Sequence, residues 1–141
     1  MDADTLIAAL GLQPHPEGGH YRETFRAAPA AGQTRGSTTA IFFLLRRGER
    51  SHWHRVDAVE IWHWYAGAPL VLEIAEPDAP RRTIMLGTDF AAGQTPQGVV
   101  PAHAWQAAHA LGDWTLVGCT VSPAFEFSGF ELAPPDWEPG S

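Results

Sequence analysis

A chain of 141 residues with 45% apolar content, six Trp and seven Phe can bury a core in one domain without staples. Its net charge of −7, with no lysine and nine dispersed arginines, argues against a nucleic-acid surface. Fourteen Gly and twelve Pro interrupt the chain too often for a helical bundle and suit short strands joined by turns. The single cysteine, Cys119, leaves no internal disulfide, and within Leu116–Val121 it reads as a packed thiol on a buried strand. An acidic N-terminus and the lack of any apolar run near ~18 residues predict neither a leader nor a membrane span, and hence a cytoplasmic protein.

In chain order, Ala3–Leu10 is expected as a short helix capped by Asp2 and stopped by Gly11, lidding one end of a sheet. His15-Pro16-Glu17-Gly18-Gly19 marks a sharp turn, and Tyr21–Arg26 alternates as a strand. Glu17 is open to two readings, plain turn chemistry or a charged group delivered to a pocket mouth. Ser37–Arg46 is a continuous apolar strand that Gly48-Glu49-Arg50 turns into a central hairpin. Leu70–Glu76 and Arg82–Leu86 pair across Pro77–Pro80. Thr88–Gly98 reads as a long loop of the kind that shapes sites. Val99-Val100-Pro101 enters a turn, Trp105–Ala108 leaves it, and Trp114–Ser122 and Phe125–Leu132 complete the strands, followed by a tail at 134–141. Eight to ten short strands with turns every 8–12 residues predict an all-β sandwich or barrel spanning 1–141 as one domain.

The stretch that organises the chain is Ser51–Gly67. His52 and His54, two apart, share a face on a regular strand. On the returning strand Glu60, Trp62 and Trp64 share one face, and Ile61, His63 and Tyr65 the other. With the Glu60 face inward, a carboxylate returns to two imidazoles inside a Trp-lined pocket.

This spacing resembles the first cupin motif, G-x5-H-x-H-x3,4-E-x6-G. His52-x-His54 and Glu60-x6-Gly67 fit, whereas only three residues separate Gly48 from His52 and five separate His54 from Glu60. An extra residue turns Glu60 to the wrong face unless the turn absorbs it. Three phrases together resemble the small single-domain Cupin_5 family, a domain of unknown function. They are His15-Pro16-Glu17-Gly18-Gly19 with Tyr21–Thr24, Ser51 to His63, and Val100-Pro101-Ala102 with Trp105-Gln106-Ala107 and the strands that follow. The resemblance implies a jelly-roll β-barrel with a short N-terminal helix, a homodimer with a cavity in each barrel, and similarity to plant storage proteins and deoxysugar epimerases. The second cupin motif, P-x-G-x-x-H, is altered: His103 stands in place of Gly and Gln106 in place of the metal-binding His.

Three functions follow as alternatives. The first is metal-free acid–base chemistry on a small, polar, sugar-like molecule, an epimerase or isomerase. His54 would be its base, Glu60 its partner, Tyr65 or Tyr21 the opposing acid, and Trp62 and Trp64 the apolar wall. Glu17, His103 and Gln106 would then help hold the ligand. The second is a metal-dependent enzyme with His52, His54 and Glu60 on Fe, Mn, Ni or Zn. The third is a non-catalytic binding or storage barrel whose polar groups satisfy one another.

Overall fold

The computed structural model describes residues 1–140. Helix α1 (Ala3–Leu10) begins where the Asp2 carboxylate accepts the Thr5 N–H at 2.8 Å and ends at Gly11, whose φ of 66° closes the C-cap. Its apolar side packs on Leu44 and Phe42 at one end of a sheet, as the sequence leads one to expect.

The strands are β1 (Gln13–Pro14), β2 (His20–Arg26), β3 (Thr39–Arg46), β4 (Arg50–Val56), β5 (Val59–Gly67), β6 (Leu70–Ala75), β7 (Arg82–Leu86), β8 (Gln97–Val100), β9 (Trp105–Ala110), β10 (Trp114–Ser122) and β11 (Phe130–Leu132). They form two antiparallel sheets in the orders β1-β2-β3-β10-β5-β8 and β11-β4-β9-β6-β7. The two-residue β1 and three-residue β11 carry the total past the expected eight to ten. This is the jelly-roll sandwich. No helix among the described residues is long and apolar enough to cross a membrane.

One half of the space between the sheets is dry. Phe43, Leu45, Trp62, Leu70, Leu72, Ile74 and Leu86 are all buried there. The segment expected as a site-shaping loop closes this half instead. It holds a 3-10 turn (Phe90–Ala92) and then β8, where Gly98 lets the backbone approach Leu72 and Leu86. No residue of it reaches the cavity in the other half.

Phe125–Leu132 is not one strand. Gly129 lies so close to the Asp57 carboxylate that a Cβ there would stand 2.3 Å from an oxygen. The Asp57 N–H donates to the Gly129 carbonyl, and a 3-10 turn over Phe127–Gly129 precedes β11. This detour carries Phe125 and Phe127 to the cavity mouth. The expected tail packs against the outer face of β9, Trp137 meeting Trp105 at 4.5 Å between ring centroids. Ser141, its last residue, lies outside the described residues.

Candidate functional site

The wet half of the interior encloses a cavity of about 250 Å³. Four ionisable side chains line its interior: His15, Glu17, His54 and Glu60. Tyr21, Ile41, Val56, Cys119 and Val121 supply walls, and Glu23, Arg26, Phe125 and Phe127 belong to the mouth.

Each charged group is placed by a different element. Glu17 comes from the turn between β1 and β2, which is docked by backbone bonds from the His15 N–H to the Gly19 carbonyl and from the His52 N–H to the Glu17 carbonyl. Gly18, at φ 111°, passes so near the Arg50 carbonyl that a Cβ would overlap it. Only glycine lets this turn sit deep enough to bury Glu17. The Ser51 hydroxyl donates to Glu17 Oε2, and Glu17 Oε1 lies 3.3 Å from His15 Nδ1. That nitrogen accepts the Glu17 backbone N–H at 3.1 Å, so neutral His15 carries its proton on Nε2.

His54 stands on β4. Its Nδ1 donates to the His52 carbonyl at 2.7 Å, which leaves the Nε2 lone pair facing Glu17 Oε2 at 3.6 Å. Glu60 stands on β5 in the facing sheet and accepts the Gln106 amide N–H at 2.8 Å. The orientation of that amide is settled by Trp62, a donor only, whose indole N–H bonds Gln106 Oε1 at 2.8 Å. A buried relay of Trp62, Gln106 and Glu60 therefore ties the sheets together across the site.

Burial governs the protonation of all four groups. It pushes the Glu17 carboxyl up to about 8, the Ser51 hydrogen bond opposing. It raises Glu60 to about 7 against the pull of His54. His15 falls to about 4 through burial, with repulsion from His54 adding to it. Burial also holds His54 below its usual range, with Glu60 opposing. At neutral pH the site thus pairs neutral imidazoles with a Glu17 carboxyl that keeps its proton and a Glu60 carboxyl that is about half protonated. Burial pushes the Cys119 thiol well up, so it is a wall and not a nucleophile.

Several expected site residues lie elsewhere. His52 does not share a face with His54. Ser51 pairs with Ala108 and His54 with Gln106, so His52 and Trp53 together oppose Ala107 in a β-bulge. His52 turns out of the barrel, its Nε2 2.8 Å from the Pro134 carbonyl. Tyr65 follows the strand's alternation to the outer face and is 51% exposed, edge-on to Phe42. Trp62 belongs to the dry core. Trp64 donates to the Ala68 carbonyl at 2.9 Å, away from the cavity. His103 sits at φ 69° on its turn, its N–H on the Val56 carbonyl, in a surface groove with Arg55, Asp57 and Glu131. Gln106 reaches the site only through Glu60.

A cupin metal needs three or four donors around one point. With His52 outside and the Gln106 amide bonded at both ends, His52, His54 and Glu60 do not form that face. Among the described residues no group of three His, Cys, Asp or Glu side chains is placed to hold an ion. The donor set does not fit a cupin-type metal.

The family model described as Cupin superfamily (DUF985), Cupin_5, matches residues 4–133. The chain belongs to the Cupin_5 family. Among solved structures, a protein from Shewanella oneidensis is 42% identical over 94% of this chain and 85% of its own, with a TM-score of 0.89. A hypothetical protein from Leishmania major is 31% identical over 94% and 88%, with a TM-score of 0.86. An oxalate decarboxylase from B. subtilis is 11% identical over 85% of this chain and 29% of its own, at a TM-score of 0.64, which speaks for the cupin fold alone. No curated protein matches the chain. The barrel of this Cupin_5 protein holds site residues that sequence reasoning missed. His15 was legible only as part of a turn that could close the pocket mouth and was not singled out as a site residue. Cys119 read only as core, and Ser51, Phe125 and Phe127 carried no signal of a cavity.

Proposed function

We propose that this Cupin_5 protein is a small-molecule enzyme that moves protons without a metal, of the aldose–ketose isomerase or epimerase type. One observation carries the reading: the Nε2 lone pair of neutral His54 and two carboxyls of raised proton affinity, Glu17 and Glu60, converge on one buried cavity. Paired groups pushed apart in proton affinity by their surroundings are how one pocket holds a base and an acid together.

In this reading His54 Nε2 takes the proton from the carbon next to a substrate carbonyl. The Glu60 carboxyl, oriented by Gln106, gives its proton to the carbonyl oxygen. The resulting enediol is relieved when the His54 imidazolium returns a proton to the neighbouring carbon and the Glu60 carboxylate takes one from the other hydroxyl. Both groups end as they began. Glu17 stands beside Nε2, and Ile41, Val56 and Val121 give the cavity apolar walls.

The test is deuterium wash-in. A panel of unphosphorylated aldoses and ketoses, incubated with the protein in D2O, is read by NMR for label at the carbon beside the carbonyl. Exchange on at least one member, slowed by about 10²–10⁴ in His54→Ala, is the expected result. A panel that stays unlabelled rejects the reaction. A homodimer is also proposed, with Val59, Tyr65 and Val99 on the outer faces of β5 and β8 as supporting apolar surface. Sedimentation showing only monomer at micromolar protein rejects it.

A further inference from the structure

We propose that the ligand of this cavity is a monosaccharide-sized molecule carrying a protonated amine, seated between Glu17 and Glu60, and that phosphorylated and nucleotide-linked sugars are shut out. The assignment rests on the cavity being the ligand site, as in the proposed function, and not on its being catalytic.

The size follows from a volume of about 250 Å³, just under the ~300 Å³ at which pockets for drug-sized ligands begin. The charge preference follows from what lines the walls. Among the described lining residues, Arg26 alone carries a permanent positive charge. It is already engaged: Nε and one terminal nitrogen meet the two Glu23 oxygens at 2.9 and 2.8 Å, and that terminal nitrogen also donates to the Phe125 carbonyl at 2.9 Å. Among the described lining residues no unpaired cation waits for a phosphate or a carboxylate.

The interior is instead rich in acceptors. The Nε2 lone pair of His54 is open, and Glu17 and Glu60 present carboxyl oxygens. An ammonium brings three donors and the positive charge that this set lacks. An anion would find no fixed positive charge among the described interior groups, and any ionised fraction of Glu17 or Glu60 would repel it in this poorly screened interior. The upward displacement of both carboxyls agrees with this, since burial outweighs every contact that would stabilise their charge. A site that binds through specific polar partners also rejects analogues that leave them unpaired.

Isothermal titration of the full chain at pH 7 tests this with glucosamine, galactosamine and mannosamine, each against its parent sugar and the parent's 6-phosphate. At least one amino sugar should bind about tenfold or more tightly than its parent, and no 6-phosphate should bind. Glu17→Gln, which keeps an acceptor for Ser51, should erase the preference while a circular-dichroism melt shows the fold intact. Equal affinity for the parent sugar, tighter binding of a 6-phosphate, or no binding by any amino sugar overturns the proposal. So does Mn²⁺ alone binding more tightly than every amine. Amine binding without deuterium wash-in would reject the proposed reaction and leave this assignment standing. Wash-in confined to neutral sugars would do the reverse.

Discussion

The same two sheets enclose two interiors that obey opposite rules. In the dry half, Leu70, Leu72, Ile74 and Leu86 are wholly buried and each apolar contact adds stability. In the wet half, Glu17 and Glu60 are buried at a cost that shows in their raised proton affinity. Burial is common to both, so burial alone identifies neither core nor site. What distinguishes them is whether the buried group would rather be elsewhere. Groups kept where they are uncomfortable are the ones whose position serves chemistry.

That contrast can be broken by substitution. Leu72→Ala removes a fully buried side chain from the dry half and should cost about 2–5 kcal/mol in urea unfolding, through lost transfer energy plus a cavity. A loss under about 1 kcal/mol would mean that the dry half is not tightly packed.

The wet half should respond in the opposite sense. Glu17 has its folded proton affinity raised to about 8, so the folded chain keeps a proton that the unfolded chain releases above its ordinary value of 4.5. Its contribution is fully present below that unfolded value and is lost as pH rises through the folded one. Stability should therefore fall between these limits by up to roughly 1.4 kcal/mol per pH unit from this group. Glu17→Gln should flatten the fall and stabilise the protein at pH 8 while impairing ligand binding. Equal pH slopes for the two proteins would remove the strain assigned to this site. Removing an exposed charge sharpens the comparison from outside. Arg47 and Asp113 pair at 2.9 Å with side chains 70% and 85% exposed, and Arg47→Ala should change the melting free energy by less than about 0.5 kcal/mol.

How far the site could be read in advance differs between the strands of the central hairpin. On β5 strict alternation holds from Glu60 to Trp64, so the spacing showed that Glu60, Trp62 and Trp64 share one face and His63 and Tyr65 the other, while which face turns inward was decided by the sheets. On β4 the same logic fails. The bulge opposite Ala107 moves His52 and Trp53 out and returns His54 inward beside Ser51. The extra residue between His54 and Glu60 lies beyond the bulge, and the turn between Val56 and Val59 absorbs it, so that both side chains line the cavity.

The local signals were enough for the helix and its caps, for short strands of a sandwich or barrel, and for which β5 residues share a face, because each depends on neighbours a few residues away. The jelly roll came instead from the family resemblance. Side-chain parity, capping and turn chemistry are written in adjacent letters. The placing of Glu17, the eviction of His52 and the roofing of the cavity by Phe125 and Phe127 were decided only in three dimensions. The Gly18 backbone had to meet the Arg50 carbonyl, β4 had to pair with β9, and Gly129 had to meet Asp57. Each is a contact between segments far apart in the chain, and its energy exists only after the sheets have closed. Spacing along the sequence cannot encode such a contact, because what selects it is the shape of a partner surface that the local segment does not contain.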